Sequence, residues 1–265
     1  MNILFIGDVN GRAGRNLVRE HLDRLVDRHR VDYAVANVEN AAEGFGITPA
    51  LAEELQGHGL HVMTSGNHIW DKAEILPYIA EHRTLLRPHN YPAGTPGTGL
   101  HLGSTAAGVP VAVVNLMGRV FMNALECPFR TADRALQEIG SRCRVILVDI
   151  HAEATSEKVA MAWYLDGRVS AVIGTHTHVQ TADERVLPAG TAAIITTMIT
   201  AKATAITTTT PRTTTTTRTT TCTPTCTVPT TRRSFGSCSR RRAIFSHPWS
   251  AVVWSRPPID APIDG

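Results

Sequence analysis

Asn2-Ile3-Leu4-Phe5-Ile6-Gly7-Asp8 sets the pattern for the chain: four apolar residues in a row, then a glycine and an acid. A short apolar run bounded by a turn signal suits a buried strand that feeds a loop. The same arrangement recurs. Tyr33 to Val38 ends at Glu39-Asn40, and His61 to Thr64 ends at Ser65-Gly66-Asn67-His68. Arg144 to Ile150 runs into His151, and Val169 to Gly174 runs into His176-Thr177-His178. Val109 to Leu116 is a further apolar strand, and Ala192 to Ile195 reads as one more.

Helical patterns separate these runs. Leu17, Val18, Leu22, Leu25 and Val26 recur near every 3.6 residues among charged neighbours, the mark of an amphipathic helix. Thr48-Pro49 starts a second helix with proline in its first turn, and Gly57 and Gly59 stop it. Asp71 to Ala80, Ala132 to Ile139 and Ser156 to Leu165 read as three more, whereas Pro88 to Gly108 is a loop or hairpin excursion. Alternation of strand and helix predicts an α/β fold, with layers of helices around a largely central sheet.

Composition narrows the class further. Of 265 residues, 43% are apolar and 18% charged, which excludes a wholly disordered or fibrous chain. No apolar stretch reaches the ~18 residues of a membrane span. The start meets an acid at Asp8 without a basic region before it, unlike a secretion signal. Cysteines 127, 143, 222, 226 and 238 form no spaced framework, so a reducing, cytoplasmic compartment is expected. Averages hide a break, however. Residues 1–190 carry 17 Lys and Arg against 21 Asp and Glu, whereas residues 191–265 carry 9 against 2. That second segment holds 22 threonines, with runs at Thr207–Thr210 and Thr213–Thr217. It lacks an apolar period, and its composition predicts a disordered basic tail from residue 193 onward.

In an open α/β sheet the carboxyl ends of the strands share one rim, where ligands bind. Five strand ends deliver Asp8, Glu39, Asn40, Asn67, His68, His151, His176 and His178 to that rim. Singly, each has a plain structural explanation: Asp8 as a helix cap, either asparagine as a turn residue, His151 as a hydrogen-bonded core histidine. Together they are two carboxylates, two carboxamides and four imidazoles at one edge. Such donors suit Mn, Fe or Zn, and the absence of cysteine argues against structural zinc. His176-x-His178 in extended backbone would point both rings to one side. Eight groups exceed the needs of one ion but suit two, and two metals form the clamp used in phosphoester hydrolysis.

These motifs resemble the YmdB-type metallophosphoesterases, relatives of the calcineurin-like binuclear phosphoesterases. The resemblance rests on Gly7-Asp8-Val9-Asn10-Gly11, Val38 to Gly44, Ser65 to Asp71, Gly118-Arg119-Val120-Phe121-Met122, Asp149 to Lys158 and Gly174 to Asp183. It runs from residue 1 to about residue 192. It implies a layered metallophosphoesterase-like fold whose closing C-terminal elements are missing or replaced here. Asp8, Glu39, Asn40 and His178 would hold one metal; Glu39, Asn67, His151 and His176 would hold the other, with Glu39 bridging. The ions would be two divalent or trivalent transition metals, Fe or Mn ahead of Zn. His68 would be the general acid that protonates the leaving oxygen after attack by a metal-activated hydroxide, with Asp71 orienting its ring. The implied substrates are phosphodiesters, 2′,3′-cyclic nucleotides first, with phosphomonoesters second. Self-association into a homo-oligomer is compatible with the sequence, and no membrane partner is implied.

Beyond residue 192 the family's text is replaced by the threonine-rich stretch, which reads as a shifted frame rather than an evolved domain and would leave sheet surface or an edge uncovered. The alternative reading is therefore a folded but inactive relative. Two rivals are weaker. Gly7, Gly11 and Gly14 miss the dinucleotide-binding spacing and leave the histidines unused. Arg232-Arg233 and Arg240-Arg241-Arg242 hint at nucleic acid but lack interleaved aromatics at a repeat.

Overall fold

Most of the strands lie in two sheets. The computed structural model describes residues 1–196, together with the backbone of 198–199, 242–246 and 251–255. The first sheet has the order β12 (Arg242–Ser246), β13 (Ala251–Ser255), β1 (Asn2–Ile6), β3 (Tyr33–Asn37) and β4 (Val62–Thr64). In the second the order is β5 (Leu100–Ser104), β6 (Pro110–Met117), β7 (Val145–Ala152), β8 (Ala171–His176), β10 (Ala192–Ile194) and β9 (Arg185–Val186). A third, two-stranded piece joins β2 (Asp8–Val9) in parallel to β11 (Met198–Ile199). Strands β1, β3 and β4 are mutually parallel, as are β6, β7, β8 and β10.

Side-chain alternation explains the layering. Ile3, Phe5, Tyr33, Val35 and Val62 pack against Val111, Val113, Val145, Leu147, Ala171 and Ile173, forming a shared interior between the two sheets. Their neighbours Leu4, Ile6, Ala34 and Ala36 point the other way, onto helices α1 (Gly11–His29), α2 (Pro49–Gly57) and α3 (Ile75–Glu81). On the far side Ala112, Val114, Ile146 and Val148 face α4 (Pro128–Ile139) and α5 (Thr155–Tyr164). Strands β1, β3, β4, β6, β7 and β8 thus have two buried faces over most of their length, which is why they read as continuous apolar runs. A fully buried Phe or Ile contributes ~1.5–3 kcal/mol, so this double burial anchors the strand ends firmly. An apolar face carries no mark of whether a helix or another sheet will cover it; the expected layering of central sheet and flanking helices holds, and the structure resolves it into four layers with two sheets at the centre.

Local signals fared well. Thr48 caps α2 by accepting from the Leu51 amide at 3.3 Å, with Pro49 in the first turn. The excursion after Pro88 returns as β5, an antiparallel partner of β6. The helix expected at Asp71 to Ala80 is shorter, because a 3-10 turn at Asn67–Trp70 precedes α3. At the sheet margin β13 lies antiparallel to β1, from Asn2↔Ser255 to Ile6↔Ala251. The β1 edge is therefore paired rather than open, as an unpaired row of amides and carbonyls favours. The threonine runs lie outside the described residues. Among the described residues, no helix is long and apolar enough to cross a membrane.

Candidate metal centre

At the carboxyl ends of the strands the apolar interior gives way to a polar one. Asp8 sits in β2, just past β1, and Glu39-Asn40 occupy the turn after β3. That turn is fixed by backbone bonds: the Val38 amide to the Thr64 carbonyl at 2.9 Å, and the amides of Gly11 and Gly44 to the Asn40 carbonyl at 2.8 and 3.0 Å. Asn67 and His68 open the 3-10 turn after β4, His151 lies near the end of β7, and His176 ends β8. All eight side chains come together, but from the rims of two sheets instead of one.

Two groups of three emerge, and they share a member. Glu39, His151 and His176 offer ligand atoms within 4.8 Å of one another, and so do Asp8, Glu39 and His178. In the first group, His151 Nε2 lies 2.9 Å from Glu39 Oε1, 3.1 Å from Asn67 Oδ1 and 3.0 Å from His176 Nδ1. One ring nitrogen carries at most one proton and cannot satisfy three lone-pair atoms. In the second, His178 Nε2 lies 2.8 Å from Asp8 Oδ2. The Asn40 amide nitrogen stands 3.0 and 3.1 Å from the two Asp8 oxygens, 3.2 Å from Glu39 Oε1 and 3.1 Å from His178 Nε2.

These residues fit a pair of metal ions. Asn40 Oδ1 is buried without a hydrogen-bond partner among the described residues. Exchanging oxygen and nitrogen leaves the shape of the amide unchanged, and would add an oxygen donor to the Asp8–Glu39–His178 group. Lone pairs gathered on a common focus from carboxylate, carboxamide and imidazole are the chemistry of a transition-metal site. Close approach also depends on Gly66, where a Cβ would fall 2.2 Å from His151 Nε2 and 2.4 Å from Glu39 Oε2.

Electrostatics point the same way. Burial raises the Glu39 pKa, yet the imidazole of His151 and the His68 amide, 3.2 Å from Oε2, hold it below the usual carboxylate range. Burial disfavours a charged His151, but Glu39 and then Asp8 outweigh it and raise the pKa of the ring. His176 is pushed down to about 4, first by burial and then by His151. The buried carboxylates call for positive charge between them, which a proton or a metal ion can supply.

A deeper layer holds these donor side chains in place. Thr175 Oγ1 lies 2.9 Å from His151 Nδ1 and donates to Asp149 Oδ1 at 2.8 Å. Asp149 Oδ2 accepts from Thr64 Oγ1 at 2.5 Å and from Asn37 Nδ2 at 3.0 Å, tying the two sheets together beneath the site. Burial raises the Asp149 pKa against the pull of these donors. Such partners orient ligating rings and set their tautomers.

His68 stands beside these donor groups, its side chain partly exposed. Asp71 Oδ2 lies 2.7 Å from its Nδ1, the contact that an orienting role would need. His68 and His176 line a cavity of about 350 Å³ with Asn67, Asp71, Phe121, Met122 and Asn123. Phe45 meets the His68 ring edge-on, with centroids 5.2 Å apart.

Two points differ from the sequence reading. His176 and His178 do not converge through strand alternation: their φ angles are +96° and +50°, so the chain kinks at each and sends the rings to different groups. Glu153, to which the sequence assigned no part, lies 2.9 Å from His176 Nε2. Its only signal was its position two residues past His151.

A family model described as YmdB-like protein matches residues 4–238, reaching past residue 192, where the motif-level resemblance ends. The chain is 50% identical over 194 residues to the 2′,3′-cyclic-nucleotide 2′-phosphodiesterase of Bacillus subtilis (strain 168), covering 73% of each. A hypothetical protein of Thermus thermophilus superposes with a TM-score of 0.70 at 44% identity, over 75% of this chain and 76% of that one. A novel phosphatase of Mycoplasma pneumoniae gives 0.70 at 31%, over 75% and 72%.

Proposed function

Because the chain belongs to the YmdB-like family, we propose that it is a binuclear metal-dependent phosphoesterase acting on phosphodiesters, 2′,3′-cyclic nucleotides first and phosphomonoesters second. The observation that carries this reading is the pair of three-ligand groups sharing the buried Glu39, opening on a cavity beside His68. Asp8, Glu39, Asn40 and His178 would hold one ion, and Glu39, Asn67, His151 and His176 the other, with Fe or Mn ahead of Zn. Ions bound there supply Lewis-acid neutralisation of phosphate charge and lower the pKa of a bound water.

The protein's own groups do the rest. His68, its Nδ1 held by Asp71, delivers a proton from Nε2 to the departing oxygen, which would otherwise leave as an alkoxide. Glu39, at the centre of both groups, fixes their separation. Thr175 and Asp149 keep the His151 ring in register.

Activity resides in residues 1–192 on this reading, and the threonine-rich tail is not a functional domain. A cytoplasmic location is in keeping with Cys127 and Cys143, both free. Metal analysis combined with hydrolysis of 2′,3′-cyclic AMP tests the function. A folded, metal-loaded sample that leaves cyclic nucleotides and aryl phosphates intact would overturn it.

A further inference from the structure

Gly118-Arg119-Val120-Phe121-Met122 is long and specific, yet neither the metal groups nor the proton donor uses it. In the structure this segment is a pinned loop between β6 and α4. The buried Glu157 carboxylate accepts from the Arg119 amide at 2.9 and 3.0 Å and from the Val120 amide at 3.2 Å. A Cβ at Gly118 would fall 2.4 Å from Glu157 Oε2, so only glycine admits this approach. The Met122 amide closes a turn onto the Arg119 carbonyl at 3.3 Å, and Met122 Sδ receives the Glu153 amide at 3.3 Å.

Phe121 stands at the tip of this loop. Its φ is +61°, a conformation that side-chain-bearing residues rarely adopt, and it is 89% exposed. A strained backbone that presents an aromatic ring to water gains nothing for folding, and strain of this kind collects where a ligand is met. Phe121 lines the same cavity as His68 and His176, whose volume of about 350 Å³ falls within the range of small-ligand sites. Asn123, with amide donors and an acceptor, lines it too.

We propose that Phe121 is a substrate-recognition residue, its ring the stacking platform for the nucleobase of a nucleotide whose phosphate lies at the metal groups. This rests on the phosphodiesterase reading and adds what selects the substrate. Every base has a π face, so a single ring accepts purines and pyrimidines alike. Glu157 is then a positioning residue: it holds the loop so that the ring is in place before the substrate arrives, which spares ordering entropy on binding.

The test compares 2′,3′-cyclic AMP and 2′,3′-cyclic CMP with glycerol 1,2-cyclic phosphate, which has the same cyclic phosphodiester and no base. The metal-loaded full chain is used throughout. Phe121→Gly removes the ring and tolerates the positive φ, and Phe121→Tyr keeps a ring. We expect Phe121→Gly to raise KM about tenfold for both nucleotides, the scale of one lost stacking contact, with kcat little changed. Turnover of glycerol cyclic phosphate should not move, and Phe121→Tyr should behave as the parent. Equal losses on all three substrates, or none on any, would overturn the platform while leaving the phosphoesterase reading intact. A parent protein inert toward all three would overturn that reading first, and the platform with it.

Discussion

Glu39 Oε1 and His151 Nε2 lie 2.9 Å apart with both side chains fully buried, although one follows β3 in the first sheet and the other lies near the end of β7 in the second. A buried contact of this kind across two sheets would couple metal binding at the candidate site to the packing of the sheets themselves. Removing one partner takes away the charge that offsets the burial of the other, which costs more than the pair contributes.

His151→Ala should therefore deplete metal. The parent should hold close to two ions per chain, as a two-metal clamp requires, and the variant fewer. Chelation should lower the melting temperature of the parent, since an ion bound only by the native state stabilises it by ~2.7 kcal/mol at a hundredfold excess over Kd. Elemental analysis and a thermal melt decide both points, and a parent that stays metal-free after loading sinks the idea.

His68→Ala should behave differently. Its ring meets Asp71 and the cavity, so the metals should remain while turnover falls by ~10²–10⁴-fold, the scale of general acid catalysis. With a nitrophenyl ester, whose leaving group departs without a proton, the loss should shrink. Asp71→Asn should fall between parent and His68→Ala. If His68→Ala strips the ions, its role as proton donor is wrong.

Gly66→Ala should impair metal affinity without altering any ligand, because the new methyl would lie 2.2 Å from His151 Nε2 and 2.4 Å from Glu39 Oε2. Both neighbours are firmly packed, so neither can move aside without leaving the focus. Isothermal titration with Mn should show weaker binding and an otherwise native circular dichroism spectrum. Unchanged affinity would mean that the ligands have slack the structure does not show.

Lys158 gives a pH dependence. Its Nζ donates to the Thr175 carbonyl at 3.2 Å, Thr177 Oγ1 at 2.9 Å and Thr196 Oγ1 at 3.0 Å, and burial lowers its pKa from 10.5 to about 8. Between those values the unfolded chain binds a proton that the native one does not, so the contribution of this residue to stability rises with pH through that window. Below the lower value the penalty stands in full. Lys158→Met should therefore flatten denaturant-derived stability across the window relative to the parent. Parallel curves for the two proteins would refute this placement of the amine.

Removing residues 201–265 should separate activity from stability. Every proposed site residue precedes the cut, so turnover per folded molecule should persist at low temperature. Melting should fall, because the cut takes β13 from the edge of β1. A folded but inactive product would make the tail part of the site.

Much of this was legible in the chain because it is local. Apolar runs marked the strands, the period near 3.6 marked α1, and Thr48-Pro49 marked the start of α2 through a cap that needs only its own neighbours. Donor residues stood directly after the runs, so the list from Asp8 to His178 could be drawn without coordinates. Glu153 escaped because a carboxylate two residues past a histidine has no distinguishing spacing. Gly66 escaped because its importance is the absence of an atom between two side chains that meet only in the folded protein.

The sequence by itself determined the strands β1, β3, β4, β6, β7 and β8 and which residues bear the donors, since both follow from neighbours along the chain; β12 and β13, in the stretch expected to be a disordered tail, were not legible there. Tertiary structure alone decided that Glu39, Asn40, Asn67 and His68 follow strands of one sheet, that Asp8 stands in the short β2 pairing beside it, that His151, His176 and His178 come from the strand ends of another, and that Glu39 is the member common to both groups. Alternation tells a side chain which face of its strand it occupies, and nothing about what covers that face. The covering layer is fixed by long-range packing of Phe5 and Val35 on Val113 and Leu147, and it is that packing which brings two rims into one site.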